Sequence, residues 1–114
     1  MIHTTNNLRF HRERANVAQQ DISTLLNIPP SNLARYESGL RNVTPEIILT
    51  YHILFGATLQ ELFSPLVKKV KLNLVHRSIK LIDRLNNEQS PKSYKRITYL
   101  QEVVKLLNQE LEHE

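Results

Sequence analysis

The sequence predicts an all-α protein, and three observations carry that reading. Apolar residues recur at three- and four-residue spacings almost throughout, the period of helices with one buried face. The 114 residues include only two glycines, which leaves few of the punctuation points a protein of many short strands needs. Helix-start signals recur as well, at Thr44-Pro45-Glu46, Thr58-Leu59-Gln60-Glu61 and Ser64-Pro65, each placing a side-chain acceptor just before the first turn.

Taken in order, Leu8 to Arg14 gives a first helix with Asn6 or Asn7 available as its cap. A second runs from about Ala18 to Leu26, with Ile22, Leu25 and Leu26 spaced as one buried face. Asn27 closes it, because asparagine suits the left-handed conformation that ends a helix better than other non-glycine residues. Pro29 and Pro30 cannot prolong that helix, since both lack an amide proton, and Pro30 fits the first position of a third one. This third helix, 30–38, turns Leu33 and Tyr36 inward and Ser31, Asn32 and Arg35 outward, and Ser38-Gly39 stops it. A fourth follows from Pro45 to Phe55 and a short fifth from Leu59 to Phe63. The Ser64-Pro65 signal marks a boundary, so the chain divides into residues 1–64 and 65–114.

The second part reads as a helical hairpin. Its first helix, from Pro65 to about Leu85, has apolar residues over more than half its circumference, and Asn86-Asn87-Glu88-Gln89-Ser90-Pro91 is turn chemistry. The last helix carries Ile97, Leu100, Val104, Leu107 and Leu111, a heptad seam with steps of three and four. This is more apolar surface than one hairpin can bury, which points to a homodimer through that seam. The competing arrangement folds the hairpin back on the first five helices.

Composition limits the functional classes. Hydrophobic residues make up 40% and charged residues 23%, close to an average soluble domain and far from a disordered or membrane chain. No cysteine is present, so neither a disulfide framework nor a thiolate metal site is available. Met1-Ile-His-Thr-Thr-Asn-Asn lacks a basic segment followed by an apolar one, and a cytoplasmic location is expected. The five histidines (His3, His11, His52, His76, His113) include no pair at i+3 or i+4. Only Glu110 and His113 share a helical spacing, so no metal is expected. No glycine-rich phosphate loop or nucleophile elbow occurs, and neither an enzyme nor a cofactor is expected.

The net charge of +4 suits a polyanionic partner, yet residues 1–64 hold five arginines, no lysine and five acids, and sum to zero. The excess lies in 65–114, largely in Lys68, Lys69, Lys71, Arg77, Lys80 and Arg84. This run reads as a solvated face, or as a set that follows flanking phosphates.

Two short helices joined by about four residues, the second polar on one side, match the helix-turn-helix plan. The region from Leu8 to Phe63 resembles the phage-repressor and Cro-type (XRE) helix-turn-helix family. The resemblance rests on Arg12, Val17-Ala18-Gln19-Gln20-Asp21-Ile22-Ser23, Leu26-Asn27-Ile28, Leu33-Ala34-Arg35-Tyr36-Glu37-Ser38-Gly39, Arg41 and Gly56-Ala57-Thr58-Leu59-Gln60-Glu61-Leu62-Phe63. It implies a five-helix, lambda-repressor-like DNA-binding domain, and a transcription regulator, more readily a repressor than an activator. The family usually has glycine at Asn16 and Asn27, threonine or serine at Ala18, alanine at Ser23, serine or threonine at Pro29 and proline at Val43. Pro29-Pro30 removes a cap hydroxyl and stands where the family often presents a base-reading glutamine.

By this resemblance the third helix lies in the major groove of double-stranded DNA, with Pro30, Ser31, Asn32 and Arg35 toward the bases. Arg35 is suited to fork onto guanine O6 and N7, Ser31 to donate or accept, and Pro30 to pack on a thymine methyl. Gln19, Ser38, Arg41 and Asn42 correspond to the family's contacts with the phosphate backbone. Arg12 and Glu37 correspond to a structural ion pair between the first and third helices. A different class of function is a protein-interaction module of antitoxin type, binding a partner protein through the C-terminal helices.

Overall fold

The computed structural model describes residues 6–113. Met1–Thr5, which include His3 and most of the stretch judged for a leader, lie outside the described residues, as does Glu114. The chain is all-α: α1 (Leu8–Arg14), α2 (Gln19–Leu26), α3 (Pro30–Glu37), α4 (Pro45–Phe55), α5 (Leu59–Leu62), α6 (Ser64–Glu88) and α7 (Pro91–Glu112). Among the described residues there is no strand, and no helix is long and apolar enough to cross a membrane. Two compact units divide the chain, one through Val67 and one from Lys68.

Each helix of the first unit gives the core at least one side chain. Leu8, Ile22, Leu33, Ile47, Tyr51, Ala57 and Leu62 form a buried cluster, and Val17, Leu26, Ile28, Tyr36 and Val43 pack around it. Helices this short are marginal alone, so their stability comes from this shared burial.

Three successive helices end in the same way. After α1, the Asn16 amide donates to the Glu13 carbonyl (2.9 Å) and the Val17 amide to that of Arg12 (3.2 Å). After α2, Asn27 donates to Thr24 (3.1 Å) and Ile28 to Ser23 (3.0 Å); after α3, Gly39 donates to Tyr36 (3.2 Å) and Leu40 to Arg35 (2.9 Å). This paired pattern satisfies orphan carbonyls and needs a left-handed residue at each pivot. Asn16 (φ 60°), Asn27 (φ 57°) and Gly39 (φ 84°) supply it. The two asparagines thus occupy left-handed positions where the resembling family has glycine.

Helix starts follow the sequence signals, with Ser64 the exception. Thr44 Oγ1 accepts from the Ile47 amide (3.4 Å), and Thr58 and Glu61 exchange reciprocal hydrogen bonds of 3.1 Å. Ser64, expected as a cap, is instead the first residue of α6. Its Oγ accepts from Asn7 Nδ2 (2.8 Å), tying the start of α1 to the α5–α6 junction. Leu25, expected to be buried, is 66% exposed. Ser23, buried at 2%, lies about 100° around the helix from Ile22, and this draws the buried arc away from Leu25.

In the second unit α7 returns along α6, with Lys71 Nζ 3.5 Å from the Glu110 carboxylate. Val75, Ser78, Leu85, Ser93 and Ile97 are the buried residues of the hairpin. The extent of α6 exceeds the expected Pro65–Leu85 by three residues at its C-terminal end, because fully buried Leu85 holds the final turn in place. The chain turns instead at Gln89 (φ 51°), and Ser90 caps α7 by accepting from the Lys92 amide (3.3 Å). Of the seam proposed for dimerisation, Ile97 is buried within the hairpin, whereas Leu100, Val104, Leu107 and Leu111 are half-buried.

Candidate nucleic-acid interface

The turn between α2 and α3 is set by Asn27 and by Pro29, whose ψ of 143° aims the chain into a new helix. Neither Pro29 nor Pro30 provides a capping side chain, and the first α3 amides with partners, Asn32 and Leu33, donate to the Pro29 carbonyl (3.0 and 3.2 Å). Along α3, Leu33 and Glu37 stand four residues apart on the inner face and are 0% and 3% exposed. The opposite face carries Ser31 and Arg35, flanked by exposed Pro30 and half-buried Asn32. Of the two, Ser31 is exposed and Arg35 is exposed as well.

The inner face is locked by one carboxylate. Arg12 grips Glu37 in a two-pronged contact, Nε to Oε2 at 2.8 Å and a terminal nitrogen to Oε1 at 2.9 Å. The guanidinium also donates to the Val17 carbonyl (2.9 Å). Gln19 Nε2 donates to Glu37 Oε1 (3.1 Å) and the Tyr51 hydroxyl to Glu37 Oε2 (2.5 Å). α1, α2 and α4 therefore all converge on the last residue of α3. Burial by itself would raise the Glu37 carboxyl, but the hydrogen bonds from Arg12, Tyr51 and Gln19 outweigh it and hold the group below its usual value. Desolvation and the adjacent carboxylate push the Tyr51 phenol well above its ordinary range. The bond to Glu37 raises Arg12, so the pair is fully ionised at neutral pH.

The sequence does not single out Tyr51 as a member of this arrangement, nor the link from Asn6, a candidate cap of α1, to α3. Asn6, 2% exposed, donates from Nδ2 to the Tyr36 carbonyl (3.0 Å) and accepts from the Leu8 amide (3.1 Å). The one local signal for Tyr51 is its spacing, four residues after Ile47 on the buried face of an otherwise apolar helix. A tyrosine there needs a partner for its hydroxyl.

Of the residues assigned to the phosphate backbone, Gln19 and Ser38 are half-buried, and Arg41 and Asn42 are exposed just after α3. Gln19 commits one amide hydrogen to Glu37, and Ser38 Oγ donates to the Arg35 carbonyl (3.2 Å). An open groove brings Gln19, Arg35 and Ser38 together with Arg9 and Phe10 of α1. Arg9 was not singled out by its sequence context, and it pairs along its own helix with Glu13 (2.5 Å). Pro30, Ser31 and Asn32 lie at the other end of α3, away from that groove.

Residues 8–62 match the helix-turn-helix family, over the same five helices that enclose the Glu37 network. The segment is a helix-turn-helix domain of the XRE type. The protein is accordingly a DNA-binding regulator, and α2 and α3 are the two helices of its motif. No curated protein and no solved structure matches the chain significantly. In this XRE-type domain the Arg12–Glu37 pair stands behind the motif, and Ser31 and Arg35 on the outer face of α3 are exposed.

Proposed function

We propose that the protein is a homodimeric, sequence-specific transcription repressor of the cytoplasm that reads the major groove with α3. The observation that carries this reading is the two-sidedness of α3. Its inner residues Leu33 and Glu37 are fixed in the core, and its outer residues Ser31 and Arg35 are exposed. Pro30, Ser31, Asn32 and Arg35 face the bases; Gln19, Ser38, Arg41 and Asn42 hold the flanking phosphates. A helix anchored at its C-terminal end by three other helices presents these side chains with little freedom to lose on binding.

Dimerisation is supported by apolar surface on the hairpin. Leu100, Val104, Leu107 and Leu111 remain half-buried beside buried Ile97, and a second copy would complete their burial. Two heads related by a two-fold axis fit inverted half-sites about 34 Å apart, and occupancy alone suffices for repression.

Arg35 is the decisive base contact in this reading. A bidentate arginine–guanine pair is worth ~1–3 kcal/mol of discrimination. Arg35→Ala should therefore bind a cognate site and a version altered at one base pair per half-site with nearly equal affinity, as measured by competition titration. Full retention of the wild-type preference by Arg35→Ala would refute the assignment.

A further inference from the structure

The hairpin carries its excess charge on one face near the turn. On α6, Arg77, Lys80 and Arg84 fall at i, i+3 and i+7; on α7, Lys92, Lys95 and Arg96 fall at i, i+3 and i+4, with Tyr99 at i+7. Such spacings gather side chains on one side of a helix. Leu81, four residues after Arg77, lines a shallow hollow together with Lys95, Arg96, Tyr99 and Leu100. The α7 stripe thus lines this hollow through Lys95, Arg96 and Tyr99, and from α6 Leu81 reaches it, four residues after Arg77 on the same side of that helix. All six cations are exposed, as is Tyr99, and among the described residues none of the six forms an ion pair.

The rest of the hairpin is balanced differently. At its open end Lys68, Lys69 and Lys71 are met by Glu110 and Glu112 in the sequence, and Lys71 pairs with Glu110 across the helices; Glu102 follows Tyr99 at i+3. Between residues 77 and 99 the acids are Asp83 and Glu88, and Glu88 follows Arg84 at i+4 without pairing with it.

We infer that this face is a second DNA-binding surface, distinct from α3, which takes the phosphate backbone of a duplex. The inference rests on the reading of the chain as a DNA-binding regulator and deepens it. Phosphate neutralisation supplies much of the affinity of such proteins, whereas residues 1–64 carry no net charge. Two rows of long, unpaired cations suit a charged backbone, and the Tyr99 hydroxyl adds a donor of a kind common at phosphates. An acidic protein partner would share the charge requirement, but the hollow offers it only Leu81 and Leu100 as aliphatic anchors.

The test is a salt titration of binding to a mixed-sequence duplex by the full chain and by a variant with Lys80→Gln, Arg84→Gln, Lys95→Gln and Arg96→Gln. The slope of log Kobs against log salt should fall by about 0.9 for each phosphate no longer neutralised, up to about 3.6 for all four. A charge-conserving variant, Arg84→Lys with Arg96→Lys, should keep the wild-type slope. The pair Lys95→Gln and Arg96→Gln alone should give about half the change, so a weakly folded quadruple variant does not decide the matter. An unchanged slope in the glutamine variants overturns the inference. If those variants also lose retention on poly-glutamate, the face belongs to an acidic protein partner instead. Arg35→Ala should leave this slope intact while losing sequence preference, so failure of the α3 reading is seen separately. Absence of any DNA binding by the wild-type chain overturns both.

Discussion

Glu37 accepts four side-chain hydrogen bonds while only 3% exposed, so its partners differ sharply in what their removal does. Arg12→Ala leaves a buried, uncompensated carboxylate and should cost ~3–5 kcal/mol in urea unfolding. Tyr51→Phe keeps the ion pair and should cost only ~1.5–3 kcal/mol. The pH profile follows from the same bonds. Glu37 is lowered in the folded state, so its contribution is present above the unfolded value of about 4.3 and fades as pH falls through the folded one. Tyr51 is raised, so its contribution is present below about pH 10 and fades as pH rises beyond that. Stability should thus decline at both extremes, and Tyr51→Phe should flatten the alkaline limb and also weaken the acid one, because its hydroxyl helps to hold Glu37 below the usual value. Asn27 offers a backbone test: at φ 57° any side chain without a local polar group is strained. Asn27→Ala should lose about 1 kcal/mol in thermal unfolding, whereas Asn27→Gly should match or exceed the wild type.

At the scale of the helices, α2 starts with half of a reciprocal cap. Its N-cap, Ala18, has no acceptor, although Asp21 Oδ2 already accepts from the Ala18 amide (3.1 Å). Ala18→Ser should complete the reciprocal cap and add ~1 kcal/mol, read as a higher melting temperature. All seven helices were legible from spacing, caps and prolines because those signals act within a turn or two. The misreadings came from longer range. Leu25 matched the apolar period, but the buried arc was decided by Ser23 packing inward. The end of α6 was set by the burial of Leu85 against the returning helix, which no local rule at Asn86-Asn87 reveals. In the candidate interface, the outward set on α3 followed from periodicity. Tyr51, by contrast, joined the Glu37 network through a hydrogen bond spanning fourteen residues.

Over the whole molecule, the proposed reading surface and the excess charge are separated in sequence: the XRE-type domain carries the small set proposed to face the bases, and the hairpin holds the net charge of +4. One head of this size touches few base pairs, so specificity is expected to come from two heads acting together. The central claim is that α3 reads DNA as half of a symmetric pair, and a selection of bound sequences from a random duplex pool by the full chain tests it most directly. The expected product is an inverted repeat with half-site centres about one helical turn apart, ~10 bp, or a multiple of it, containing a guanine in each half whose selection disappears with Arg35→Ala. Enrichment of a single asymmetric site, or of the same repeat by Arg35→Ala, would contradict it.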